Sequence, residues 1–231
     1  MNVDLGSRPS VLEFSGPDAV RFLNGQITQD VRKVMGTGAV LPSCVTNAKG
    51  KLQFRIGIAE SKEGGSVLIF CRSEEAEDLE ARLTRYLIAD DVEVFDKSAE
   101  ISAADFDLTE IDESARIAAG IPKWGAELMA GMLPPEAGLD ESDISYHKGC
   151  YIGQEVISRI KSAGKVNRIL TKFQFQDAAK TGSITDENGK VCGEVTSVYG
   201  DLGLGFLKRG AAVNYLSVDG SPLVTRSSLT D

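Results

Sequence analysis

Leu52, Phe54, Ile56 and Ile58 alternate with Gln53, Arg55, Gly57 and Ala59. A period of two puts one set on each face of a pleated strand, which predicts a half-buried strand entered through a hairpin turn at Asn47-Ala48-Lys49-Gly50. Val11-Leu12-Glu13-Phe14 and Val67-Leu68-Ile69-Phe70 also read as strands, and strand character resumes from Val92 to Phe95. Two helices fall among them. The first follows Ser15-Gly16-Pro17-Asp18, with Pro17 suited to the first helical position, and runs through about Leu23 to end at Gly25. The second is capped by Ser73, starts acidic and aligns Leu79, Leu83, Tyr86 and Leu87 in one stripe. The order strand, helix, hairpin, strand, helix, strand implies an α+β layer with antiparallel sheets, because hairpin-linked strands run in opposite directions.

From about Val166 the pattern changes to short alternating runs separated by turn residues. Thr171 to Phe175, Ile184 to Val198 around Glu187-Asn188-Gly189, and Asn214 to Val218 before Asp219-Gly220 predict a small C-terminal β-barrel. A boundary near Gly164 divides the chain into 1–164, with a further division into 1–95 and 96–164, and a barrel at 165–231. Thr225 to Asp231 reads as a frayed tail. Gly203-Leu204-Gly205 lies in this β-rich region with no helix after it, so it fails as a phosphate cradle.

Composition narrows the functional classes. The chain has 231 residues, enough for a substantial core, and is 42% hydrophobic and 26% charged. No apolar run approaches the roughly 20 residues of a membrane helix, so no membrane association is expected. Met1 to Pro9 lacks the pattern of a signal or transit peptide, and a cytoplasmic location is the expectation. A net charge of -9 argues against a general nucleic-acid binder, which needs a surface rich in Lys and Arg. Within that acidic chain, Lys148, Arg159, Lys161, Lys165 and Arg168 form a basic island, either a site for an anionic ligand or a solvated helix face. Cys44, Cys71, Cys150 and Cys192 are far apart, which suggests reduced thiols. With His147 as the sole histidine, no resident metal site is expected. A cluster handled by this chain is shared or belongs to a client.

The densest chemistry lies in Lys148-Gly149-Cys150-Tyr151-Ile152-Gly153-Gln154-Glu155. Val156, Ile157, Ile160 and Lys161 read as an amphipathic helix beginning beside it, which would place Cys150 near a helix N-terminus. The partial charge there and the Lys148 cation would both favour a thiolate. Free cysteine is equally often a small buried apolar group, and the residues leave both readings open. Gly149 and Gly153 would allow close backbone approach, and Gln154 and Glu155 would bond across the loop or cap the helix.

The string K-G-C-Y-x-G-Q-E resembles the signature of the YgfZ family, relatives of the glycine-cleavage T-protein that bind tetrahydrofolate. Gly16, Asp18, Ala19, Phe22, Leu23, Thr28 and Asp30 are similar to the superfamily's opening segment. Arg116 with Ala119-Gly120-Ile121-Pro122, and Leu133-Pro134-Pro135-Glu136-Ala137-Gly138-Leu139, resemble the stretch before the signature. Gly193-Glu194-Val195-Thr196-Ser197 resembles part of the superfamily's barrel. The resemblance implies a T-protein-like folate-binding α/β region followed by a small β-barrel. It implies an accessory factor that supports assembly or repair of iron-sulfur proteins, with Cys150 as a functional thiol needed for activity; the residues leave open whether that thiol is a transient cluster ligand or a redox-sensitive group. Its partners would be folate and iron-sulfur client proteins or assembly factors, and a monomer is expected.

Two departures bear on chemistry. T-proteins carry an essential aspartate after a glycine pair on a central strand, and the matching place here, Gly50 to Arg55, holds Phe54 and no acid. Phenylalanine cannot perform the acid-base and positioning task of that carboxylate, so aminomethyl transfer is not expected. Ala118 stands where T-proteins usually carry a glutamate. A folate-dependent one-carbon transferase with an altered site is the alternative reading, and a thiol enzyme using Cys150 with His147 as base is a third. Lys148, Arg116 and Tyr151 are the candidate folate contacts, with Trp124 to stack on a pterin. Their structural counterparts are a surface lysine, an ion-paired arginine, a core tyrosine and a packing tryptophan.

Overall fold

A computed structural model describes residues 3–108, 110–164, 166–211 and 216–228. The chain divides into two compact units, Met1–Glu110 with Leu139–Arg159, and Ile111–Gly138 with Ile160–Asp231.

The first unit is built on β1 (Ser10–Ser15), α1 (Ala19–Gln26), β2 (Leu41–Thr46), β3 (Leu52–Glu60), β4 (Val67–Cys71), α2 (Ala76–Thr84) and β5 (Glu93–Asp96). The strands form one antiparallel sheet in the order β2-β3-β4-β1-β5. Alternation along β1 and β4 sorts side chains to two faces. Leu12, Phe14 and Ile69 join Ile56 and Ile58 against Phe22 and Leu23 of α1 and Leu79 and Leu83 of α2. Val11, Leu68 and Phe70 turn the other way, against Val3, Leu5, Ala103 and Leu108. β3 is therefore not half-buried as its alternation predicts, because Arg55 and Ala59 on the second face are buried too. The hairpin turn forms as expected, with the Asn47 side chain accepting from the Lys49 and Lys51 amides and Gly50 at φ +68.

Both helix starts differ from expectation. Pro17 precedes α1 rather than opening it, and the Asp18 carboxylate accepts the Asp91 amide at 3.0 Å instead of capping the helix. A 3-10 turn at Ser73–Glu75 precedes α2, and the Ser73 hydroxyl donates to the Arg8 carbonyl. Tyr86 lies past the end of α2, 44% exposed, with the Arg82 guanidinium over its ring.

The second unit contains α3 (Glu113–Ala119) and a closed barrel, and α4 (Gln154–Ala163) leads into it in sequence. Its strands are β6 (Arg168–Phe175), β7 (Gly182–Thr185), β8 (Val191–Tyr199), β9 (Leu202–Lys208), β10 (Ser217–Val218) and β11 (Ser221–Ser228), in the order β10-β11-β6-β9-β8-β7. Phe173, Phe175, Ile184, Val195, Leu207 and Val218 fill the barrel core. The turn between β7 and β8 is stabilised by Asp186, whose carboxylate accepts the Asn188 and Lys190 amides. Of the expected run Asn214 to Val218, Asn214 and Tyr215 lie outside the described residues. Of the expected tail Thr225 to Asp231, Thr225 to Ser228 belong to β11, with the pairing to β6 supplying the order that the composition does not reveal, and Leu229 to Asp231 lie outside the described residues.

Candidate functional site

Lys148 opens the signature and points inward. Only 8% exposed, its Nζ donates to the carbonyls of Ile27 at 2.9 Å and Gln29 at 2.8 Å. Burial lowers its pKa to about 7, partly offset by the charge of Asp30. Its ammonium lies 5.2 Å from the centroid of the Tyr151 ring. Tyr151 is buried with Ile144 and Ile157, and burial pushes its phenol up. The Tyr151 hydroxyl and the Ser145 Oγ are buried without a hydrogen-bond partner among the described residues.

The next residues are strapped to the same unit. The Ile152 amide donates to the Gly25 carbonyl, and Thr46 Oγ1 donates to the Ile152 carbonyl at 2.6 Å. Gly153 is held at φ +90, where a Cβ would lie 2.5 Å from the Asn47 carbonyl and 2.8 Å from Thr46 Oγ1. Only glycine satisfies both requirements. Upstream, Thr28 Oγ1 donates to the Asp143 carbonyl at 2.6 Å and accepts the Cys44 amide, and the Ser145 amide donates to the Thr28 carbonyl. The opening segment and the signature are thus one hydrogen-bonded assembly.

Between these anchors Gly149 and Cys150 are exposed, while Cys44, Cys71 and Cys192 are buried. This settles the burial of Cys150 in favour of the exposed reading, but not by the expected route. The charge of Lys148 is spent on two carbonyls, and α4 starts only at Gln154. Gly149 meets nothing that a Cβ would disturb, so close approach belongs to Gly153 alone. Gln154 and Glu155 are the first residues of α4, and the Gln154 amide donates to the Tyr151 carbonyl. His147 is exposed.

Arg116 and Trp124 belong to the second unit. Arg116 is fully buried, its guanidinium donating to both Glu113 oxygens, Glu127 Oε2 and the Ile121 carbonyl. Those bonds match the ion-pair reading of this residue. Glu127 also accepts the Lys123 amide and the Thr196 and Ser197 hydroxyls, the latter two at 2.6 Å each. Trp124 is half-buried and bridges to Leu128. Glu127, Asp143 and Ser145 carried no signal in the sequence, whereas Thr28 was visible as part of the opening motif.

Residues 168–228 match the family model described as CAF17, C-terminal beta-barrel domain. The chain is 36% identical over 106 residues to "Putative transferase At1g60990, chloroplastic" of Arabidopsis thaliana, covering 43% of this chain and 24% of that protein. It is 32% identical over 96 residues to "Iron-sulfur cluster assembly factor IBA57, mitochondrial" of Homo sapiens, 38% of this chain and 27% of that one. The chain thus spans about a quarter of each of these two relatives. An uncharacterized protein of Haemophilus influenzae is 27% identical over 229 residues, 80% of its length. The glycine cleavage system aminomethyltransferase T of Bartonella henselae has the same fold, with a TM-score of 0.74 over 94% of this chain and 82% of that one, at 14% identity. The chain shares the fold of that aminomethyltransferase, and its barrel segment 168–228 matches the CAF17 C-terminal domain. In this chain Phe54 packs against the apolar core of the sheet, and its neighbour Arg55 is held by Asp143.

Proposed function

We propose that this protein binds tetrahydrofolate and acts as an accessory factor in the assembly or repair of iron-sulfur proteins, with Cys150 as its functional thiol. The observation that carries this reading is the signature itself, in which Lys148, Tyr151, Ile152 and Gly153 are anchored and Cys150 faces solvent. An exposed thiol on a fixed backbone suits an encounter with another macromolecule. The names of the IBA57 relatives point to the same process. The cluster in this reading is cargo carried by a client protein or assembly factor. The setting proposed is the cytoplasm, with the protein as a monomer.

The folate would be held on the first unit by the orphaned hydroxyls of Tyr151 and Ser145 and the amine of Lys148, groups able to bond the polar edge of a pterin. Calorimetric titration with tetrahydrofolate tests this. Saturable binding that Tyr151→Phe weakens on the order of tenfold is expected, since the change removes one ligand hydrogen bond and no protein one. No binding at millimolar folate would sink the folate reading. In cells lacking the native protein, Cys150→Ser should fail to restore iron-sulfur enzyme activity; full restoration would remove the thiol's role.

A further inference from the structure

β5 is the last strand of its sheet. The Lys97 amide donates to the Val11 carbonyl, and the register pairs Glu13 with Phe95 and Ser15 with Glu93. Pairing alternates along an antiparallel ladder, so residues 93, 95 and 97 bond toward β1. The amide and carbonyl groups of Val94 and Asp96 therefore face away from the sheet, and no strand among the described residues pairs with them. An open row of this kind is a template for strand addition.

Three further features define what it would accept. Phe95 is 45% exposed, a large apolar side chain on the outermost strand, on the face opposite the buried contacts of Val94. On the face of Phe95, its cross-strand partner Glu13 and its neighbour Lys97 line a cavity of about 260 Å³. Among the charged lining residues Glu13, Glu63, Glu100 and Asp105 outnumber Lys62 and Lys97. The edge itself carries Glu93 and Asp96, with Asp91 just before it.

We infer that β5 is a docking edge for an extended, basic segment of a partner protein, which adds to the sheet as a strand. Its main chain bonds Val94 and Asp96, its apolar side chains cover Phe95, and its Lys or Arg residues meet the acidic rim. The site is remote in sequence from the signature and does not rest on the folate reading.

Fluorescence anisotropy of a labelled peptide of alternating Lys and Val, roughly eight residues long, tests it on the full chain. Saturable binding is expected, weakening as salt rises, with no binding of an alternating Glu and Val peptide. Val94→Pro removes the outward amide while leaving the β1 ladder intact, and should cut affinity at least about tenfold. Phe95→Lys, which keeps every backbone group, should do likewise, so the outcome survives if the proline variant folds poorly. Equal binding by a folded Val94→Pro and by Phe95→Lys, or equal binding of the acidic peptide, would overturn the assignment. So would a dimer in sedimentation that Phe95→Lys dissolves, because the occupant would then be a second copy.

Discussion

Arg55 and Asp143, 88 residues apart in the chain, form a two-bond ion pair with side chains 4% and 0% exposed, Nε to Oδ2 at 2.7 Å and a second nitrogen to Oδ1 at 3.2 Å. The pair ties β3 to the segment that leads into the signature. Removing one partner strands a buried charge, so Asp143→Ala should lower unfolding free energy by about 3–5 kcal/mol. Replacing both, Arg55→Met with Asp143→Leu, should recover most of that loss. Urea unfolding of the three proteins decides it, and a double variant as unstable as the single one would contradict the account.

Lys148 makes stability depend on pH. Its pKa falls from 10.5 in the unfolded chain to about 7 on folding, so between those values the unfolded state binds a proton that the folded state does not. Stability then rises with pH across that window, and the full cost of the buried ammonium is felt below about 7. Thermal melts from neutral to alkaline pH should show this rise. Lys148→Met should flatten it, and an unchanged slope in the variant would assign it to another group.

The four cysteines should separate cleanly by exposure. In the native protein a thiol reagent should titrate Cys150 rapidly and one equivalent only, with Cys44, Cys71 and Cys192 reacting after denaturation. Burial raises the Cys71 thiol to about 12, which slows it further. Rapid reaction of more than one thiol would show that the burial described does not hold in solution.

Gly153→Ala should cost about 2–3 kcal/mol, because it combines a positive φ with contact against the Asn47 carbonyl and Thr46 Oγ1. Gly149→Ala, where a Cβ meets nothing, should stay near wild type. A comparison of melting temperatures checks both, and equal effects would remove the distinction between the two glycines.

Much of this fold could be read in the chain because its signals are local. The hairpin at Asn47 to Gly50, the apolar stripe of α2 and the alternating runs of the barrel are each set by neighbours a few residues away. Burial of the second face of β3 was not legible, since Arg55 looks like a solvent-facing residue until Asp143 is brought to it. The site divides the same way. The signature announced itself as a string, but the direction of Lys148 depends on the carbonyls of Ile27 and Gln29, more than a hundred residues earlier. A lysine beside a cysteine reads as an activating charge; in the fold it is a strut. The two orphaned hydroxyls had no sequence signature, because being without a partner is a property of packing.

The hydrogen bonds of Glu127 also set an order of events during synthesis. Its carboxylate is buried on the strength of Arg116 and of the hydroxyls of Thr196 and Ser197, which lie 69 and 70 residues later. At roughly 5–20 residues per second, those hydroxyls reach the ribosome's exit on the order of 3–14 s after Glu127 does. The first unit waits as well, since Arg55 needs Asp143 and the chain must pass through Ile111–Gly138 before supplying it. The first core therefore stays unfinished until Leu139–Arg159 has emerged, and the second until β8 has.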